Sequence, residues 1–254
     1  MRRTVIAILS VVFIAFSLAV IGLAQDHSAE EVFYRANQAY KQGDFTQAAQ
    51  AYGQLIEMGY ANGHLYYNLG NSFFRSGQEG KAILMYERAY LLMPRDADLL
   101  FNMNYVKDQR VDALQEGQGV LASTFFWLNS LNLAEFYRVF VICNLLLFTA
   151  LILRLFMNPS WMPPLIITAA FVWSAVAGSV AMKWYQVNFD DRAVVLEKEM
   201  DVLSGPQEGD TVLFRLHEGT IVYEERTEDQ WVLIQLSADK RGWVRAESIE
   251  GVRM

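Results

Sequence analysis

Two asparagines and two cations recur 34 residues apart: Asn37 with Asn71, and Lys41 with Arg75. Phe33, Tyr40, Tyr67 and Phe74 accompany them, and Phe101, Asn102 and Tyr105 continue the series one period on. An amide both donates and accepts hydrogen bonds, a nearby cation attracts carboxylate, and aromatic rings supply an apolar floor. Such a set suits the backbone and carboxylate of an extended peptide. It equally suits a seam in which the rings pack between helices and the cations are solvated, and the sequence leaves both readings open.

Residue types for covalent chemistry are scarce. The only cysteine, Cys143, lies in an apolar run, so an intramolecular disulfide, a CxxC zinc site and a thiol-redox pair are excluded. The three histidines, His27, His64 and His217, are far apart. No Ser/His/Asp grouping within one module and no glycine-rich phosphate loop is evident. Processing after Ala24 would place His27 third in a new terminus, a copper- or nickel-type arrangement. Gln25 would then tend to cyclise and block the amine, so no metal site is assigned. The expectation is a non-enzyme with no cofactor. A formal charge of −7 disfavours nucleic acid, which needs a basic face.

The residues of the first paragraph must be positioned by the repeat that contains them. Residues 29–62 and 63–96 are two copies of a 34-residue unit. The second has Tyr66, Leu69, Gly70, Phe73, Gly77, Ala82, Tyr86, Ala89 and Pro94 in register and resembles the tetratricopeptide repeat pattern. Small residues there let antiparallel helices approach, aromatics fill the seam, Gly77 turns the chain and Pro94 ends the second helix. The first copy is looser, keeping Ala36, Gly43, Ala48 and Tyr52, and a third decays after one helix from Ala97. Such repeats present a concave face from their first helices. The predicted groove therefore holds Phe33, Asn37, Tyr40, Lys41, Tyr67, Asn71, Phe74, Arg75, Phe101, Asn102 and Tyr105.

Composition points to a membrane. Hydrophobic residues make up 53% and charged residues 19%, below the roughly 25% of a soluble domain. The charge lies in two parts, net −4 over residues 25–132 and net −6 over 183–254. Arg2-Arg3, an apolar run and small residues before Gln25 read as a signal peptide over 1–24. Uncharged runs predict transmembrane helices over 134–157 and 164–184, joined by a proline-rich turn over 158–164. Tyr137, Trp184 and Tyr185 suggest an aromatic belt, and residues 118–133 an interfacial helix in contact with lipid. Export followed by two crossings puts the repeat domain, 25–117, and the C-terminal part on the same outer side.

Residues 190–254 alternate with period two, broken by glycine and proline. Asp201 to Pro206, the Glu218-Gly219-Thr220 turn, Trp231 as a core tryptophan and the closing Gly242-Trp243-Val244 strand resemble a bacterial SH3-like barrel. Leu203 stands where that family has arginine. The expected fold is thus multidomain: an all-α tetratricopeptide unit, a two-helix transmembrane hairpin and a small all-β SH3-like barrel.

The order of these parts, with the runs Tyr67 to Phe74 and Lys81 to Ala89 and the segment Asp98 to Asp112, resembles the BatE-type proteins of the Bacteroides aerotolerance operon. The resemblance spans nearly the whole chain. It implies an inner-membrane, periplasm-facing scaffold linked to oxidative or envelope stress. It also implies membrane von Willebrand A-domain proteins and a MoxR-type AAA ATPase as partners. The SH3-like resemblance implies an alternative, wall sensing through contact with cell-wall peptide.

Overall fold

The computed structural model describes residues 27–112, 126–157 and 159–254. The signal peptide expected over 1–24 and the interfacial residues 118–125 lie outside the described residues.

Among the described residues, five helices form the first part: α1 His27–Gln42, α2 Phe45–Glu57, α3 Gly63–Arg75, α4 Glu79–Leu92 and α5 Ala97–Lys107. Asp44, Asn62 and Asp96 start α2, α3 and α5, each side chain accepting from the N–H three residues on. Gly43 and Gly77, one period apart, turn α1 into α2 and α3 into α4 with φ of +82° and +76°, where only glycine is unstrained. At Gly70 a Cβ would lie 2.7 Å from the Tyr86 ring, so the small residue sets how closely α3 and α4 pack. Their seam buries Tyr66, Leu69, Ala82, Tyr86 and Ala89.

Helix α4 is buried on every side, from Ala82 through Glu87 without a break. One side faces α3. The other is covered by the C-terminal part of the chain.

After the short helix α6, Phe126–Ser130, come α7, Leu133–Phe156, and α8, Met162–Asn188. These are long and apolar enough to cross a membrane, and none of their most apolar stretch is buried in the protein. The proline-rich turn is shorter than expected. Pro163 and Pro164 belong to the first turn of α8, where an N–H would have no intrahelical partner anyway. Asn132 and Glu135 form a reciprocal capping box at the start of α7. The Asn132 amide also donates to the Leu92 carbonyl at 2.6 Å, and Arg95 pairs with Glu135. The hairpin is thereby tied to the loop that follows α4.

The C-terminal part is one antiparallel sheet of seven strands: β1 Arg192–Val195, β2 Glu199–Leu203, β3 Val212–His217, β4 Ile221–Glu228, β5 Trp231–Ser237, β6 Lys240–Arg245 and β7 Ile249–Gly251. Their order is β3-β2-β6-β5-β4-β1-β7. The expected closed barrel is not formed, because β3 and β7 end the series without pairing to each other. One face of the sheet buries Val202, Val232, Ile234 and Val244.

Strand β1 is buried on both faces. Ala193 and Val195 join the core of the sheet, whereas Val194, with Ile221 and Val252, joins the core of the helices. Gly80 of α4 lies so close that a Cβ would meet the Val195 carbonyl oxygen at 2.6 Å. Helix α4 has no cap from its own Gln78. Instead Glu218, in the β3–β4 turn, accepts from the Gly80 N–H at 2.8 Å. The first helical turn is thus capped by a carboxylate 138 residues away.

Candidate protein-binding groove

Helices α1, α3 and α5 line the concave face, opposite the sheet-covered side of α4. A pocket of about 200 Å³ there is lined by Tyr40, Asn71, Phe74, Arg75, Asn102 and Tyr105. Its back wall is a hydrogen-bonded relay. The Tyr86 hydroxyl donates to Asn71 Oδ1 at 2.7 Å, and Asn102 Nδ2 donates to the same oxygen at 3.0 Å and to the Tyr67 hydroxyl at 2.9 Å. Both acceptor positions of the Asn71 oxygen are filled, and so are both N–H groups of Asn102. What remains for a ligand is an N–H donor on Asn71 and the carbonyl oxygen of Asn102. That pair complements a peptide unit.

Burial keeps the tyrosines of the relay protonated. It pushes Tyr86 well above the usual phenol range, with neighbouring Tyr67 and Tyr40 adding to the effect. In the first repeat it pushes Tyr52 up to about 12, again helped by Tyr40. Each phenol is therefore a fixed donor. The first repeat reproduces the arrangement one period earlier, with the Tyr52 hydroxyl donating to Asn37 Oδ1 at 2.7 Å and the Phe33 ring edge-on to Tyr52.

The rim carries apolar and cationic groups. Phe74 and Tyr105 meet edge to face at 5.9 Å. The Arg75 guanidinium sits 4.4 Å above the Phe45 ring, which holds its charge at the mouth of the pocket. Phe45 is a contributor that repeat-position reasoning passed over. Its signal was its place at the start of α2, directly after the Gly43-Asp44 turn. Lys41 and Phe101 are exposed and lie outside the pocket lining. Of the eleven expected groove residues, six converge on the pocket, Tyr67 backs it, and Phe33 and Asn37 form the parallel station.

Three charged contacts hold the sheet against the side of the helices away from the groove. Glu87, 1% exposed, is pinned between Lys107 at 2.5 Å and Arg192 at 2.7 Å, and Asp190 shares Arg192. Burial alone would raise the Glu87 carboxyl, but the two cations outweigh it and hold the carboxyl below the usual range. Arg88 donates to Glu250 and to the carbonyls of Gly251 and Val252. Asp112 accepts from the His217 N–H at 2.7 Å and the Thr220 hydroxyl at 2.9 Å, with the His217 ring beside it. Repeat-position reasoning missed all of Glu87, Arg88, Asp112, Arg192 and Glu218.

Trp231 and Trp243 are buried, as expected for Trp231, but outside the main apolar cluster of the sheet. Alternation along β5 and β6 places them on the opposite face from Val232, Ile234 and Val244. Arginines cover them there: Arg245 lies 5.2 Å over Trp231 and Arg226 5.1 Å over Trp243. Among the described residues no group of three or more His, Cys, Asp or Glu could hold a metal ion.

Residues 35–98 match the tetratricopeptide repeat family. A curated relative is the tetratricopeptide repeat and J domain-containing co-chaperone of Cryptococcus neoformans, 30% identical over 97 residues. That alignment covers 37% of this chain and 18% of the relative, so the chain spans under a fifth of the length of that protein. The helical part is accordingly a tetratricopeptide repeat unit.

Proposed function

We propose that the chain is a membrane-anchored, non-enzymatic scaffold whose helical groove holds an extended segment of a partner protein. The observation that carries this is the convergence of Asn71, Asn102, Arg75 and three aromatic rings on one pocket, with the Asn71 and Asn102 amides fixed by buried hydroxyls. A protein-interaction role is what tetratricopeptide repeats suggest. Anchoring is supported by α7 and α8, which pack on each other yet leave most of their apolar side chains exposed. The resemblance to BatE-type proteins supports the finer reading. In it the scaffold faces the periplasm from the inner membrane, its partners are von Willebrand A-domain membrane proteins with a MoxR-type ATPase, and its role is oxidative or envelope stress tolerance.

The test is photo-crosslinking in the native host from a reactive amino acid placed at Tyr105, which is 55% exposed at the groove rim. A specific membrane-protein adduct that disappears with Asn71→Ala and Arg75→Ala, while helicity is retained, supports the groove. An adduct insensitive to both substitutions rejects it.

A second reading, wall sensing, draws on the SH3-like order of turns and strands and on the two outer-face tryptophans. It requires the full-length protein to sediment with purified wall material at low salt.

A further inference from the structure

The outer face of the C-terminal sheet holds a second groove, of about 610 Å³, remote from the helical one in sequence and built on other elements. Trp243 and Leu233 line it, with Leu213 of the edge strand beside them. Leu213 is 50% exposed and its neighbour Val212 46%, an unusual openness for two consecutive aliphatic residues. Gly242 lines it too. A Cβ there would meet Val202 Cγ1 at 2.5 Å and the Leu203 carbonyl oxygen at 2.7 Å, so no side chain can grow at that point.

Charge gathers at this groove in an unexpected sign. Residues 183–254 carry net −6, and most of their arginines are neutralised locally. Arg192 is held by Asp190 and Glu87, Arg215 by Glu199 and Asp201, and Arg245 by Glu208. Arg241, which lines the groove, has no carboxylate partner among the described residues. Arg226 faces Trp243 and shares an exposed pair with Glu228 at 3.0 Å. Against these two cations the lining has one acid, Glu225, from the irregular stretch of β4.

We propose that this groove docks an extended, carboxylate-bearing segment of a partner protein. An apolar side chain of that segment rests on Leu213 and Leu233, beside the arginine-covered Trp243, and an adjacent carboxylate reaches Arg241 and Arg226. Two charge-assisted contacts beside an apolar floor give both direction and register. Exposed Leu213, with Leu233 beside it in the lining, favours a protein segment over a hydroxyl-rich wall fragment. The helical groove is left free, so the chain would hold partner segments at two separate places.

The experiment uses the full-length protein in lipid nanodiscs and fluorescence anisotropy. The probe is a fluorescein-labelled octapeptide of alternating valine and glutamate; the control alternates valine and lysine. The glutamate peptide should bind saturably and the lysine peptide should not. Arg241→Ala should weaken binding about tenfold, the loss of one charge-assisted contact. Leu213→Asp should weaken it at least as much, and salt at about 0.5 M should do the same. Both residues are exposed, and unchanged thermal melting would show that the variants fold. Equal binding of the two peptides overturns the proposal, as does indifference to both substitutions. Loss of binding with Asn71→Ala instead would assign the peptide to the helical groove. Displacement by purified wall fragments, with wall binding itself dependent on Arg241, would assign the surface to the wall. Either of the last two results also overturns the proposal.

Discussion

Single residues bind the helices to the sheet, and their effects are large because they are buried. Glu87 is the clearest case. Its carboxylate balances Lys107 and Arg192 in a site that water scarcely reaches. Glu87→Gln keeps the shape but leaves both cations facing a neutral amide, which should cost about 3–5 kcal/mol. Replacing Glu87, Lys107 and Arg192 together by apolar residues of similar volume should recover most of that loss, since the desolvation of all three disappears. Thermal melting of the purified variants distinguishes the two outcomes. Asp112 gives the same interface an acid limit. Burial tends to raise its carboxyl, but the His217 N–H, the Thr220 hydroxyl and the His217 ring prevail and lower it. A carboxyl lowered in the folded state contributes stability above its unfolded value, about 3.9, and loses it as pH falls through the lower native one. Melting temperature should therefore decline below about pH 4, and Asp112→Asn should be less stable at neutral pH with a flatter acid limb.

At the scale of elements, the decisive contact is between α4 and the sheet. Glu218 stands in for the missing cap of α4, so Glu218→Ala should destabilise the helices by about 1 kcal/mol although it lies in the β3–β4 turn. Gly80→Val should do more, because its Cβ would strike the Val195 carbonyl and the Glu218 side chain. Hydrogen exchange in α4 should rise in both variants; protection unchanged in Gly80→Val would refute the contact. The repeats were legible because a 34-residue period fixes which residues face which, as Gly43 with Gly77 and Asn37 with Asn71 show. The docking was not legible from the repeat pattern, which treats α4 as an outer helix with one solvent face. Two local signals marked it. Ala82 to Tyr86 is apolar on all sides, and Ala193-Val194-Val195-Leu196 fails to alternate, both of which mean burial on two faces. Alternation also separates Trp231 from Val232 and Ile234, so its burial comes from the other face, under Arg245. The open strand series was beyond reach of short-range pattern, since it depends on whether β3 meets β7.

At the scale of the whole molecule, the hairpin is an insertion between two parts that are packed together. Helix α7 begins against the loop after α4, and α8 ends three residues before β1 docks on α4. Parts in such contact cannot lie on opposite sides of a bilayer, so if α7 and α8 cross one, they must cross it as a pair. Cysteine labelling tests this without assuming which side is outside. With Cys143→Ser as background, Lys41→Cys reports on the exposed helical rim and Lys240→Cys on the exposed start of β6. A membrane-impermeant maleimide applied to intact cells or spheroplasts should label both positions or neither, and detergent should then expose both equally. Opposite accessibility would mean that the helices and sheet do not share a compartment. The contacts through Glu87, Asp112 and Glu218 could not then form, and the scaffold would have to be read as two independent modules joined only by the membrane.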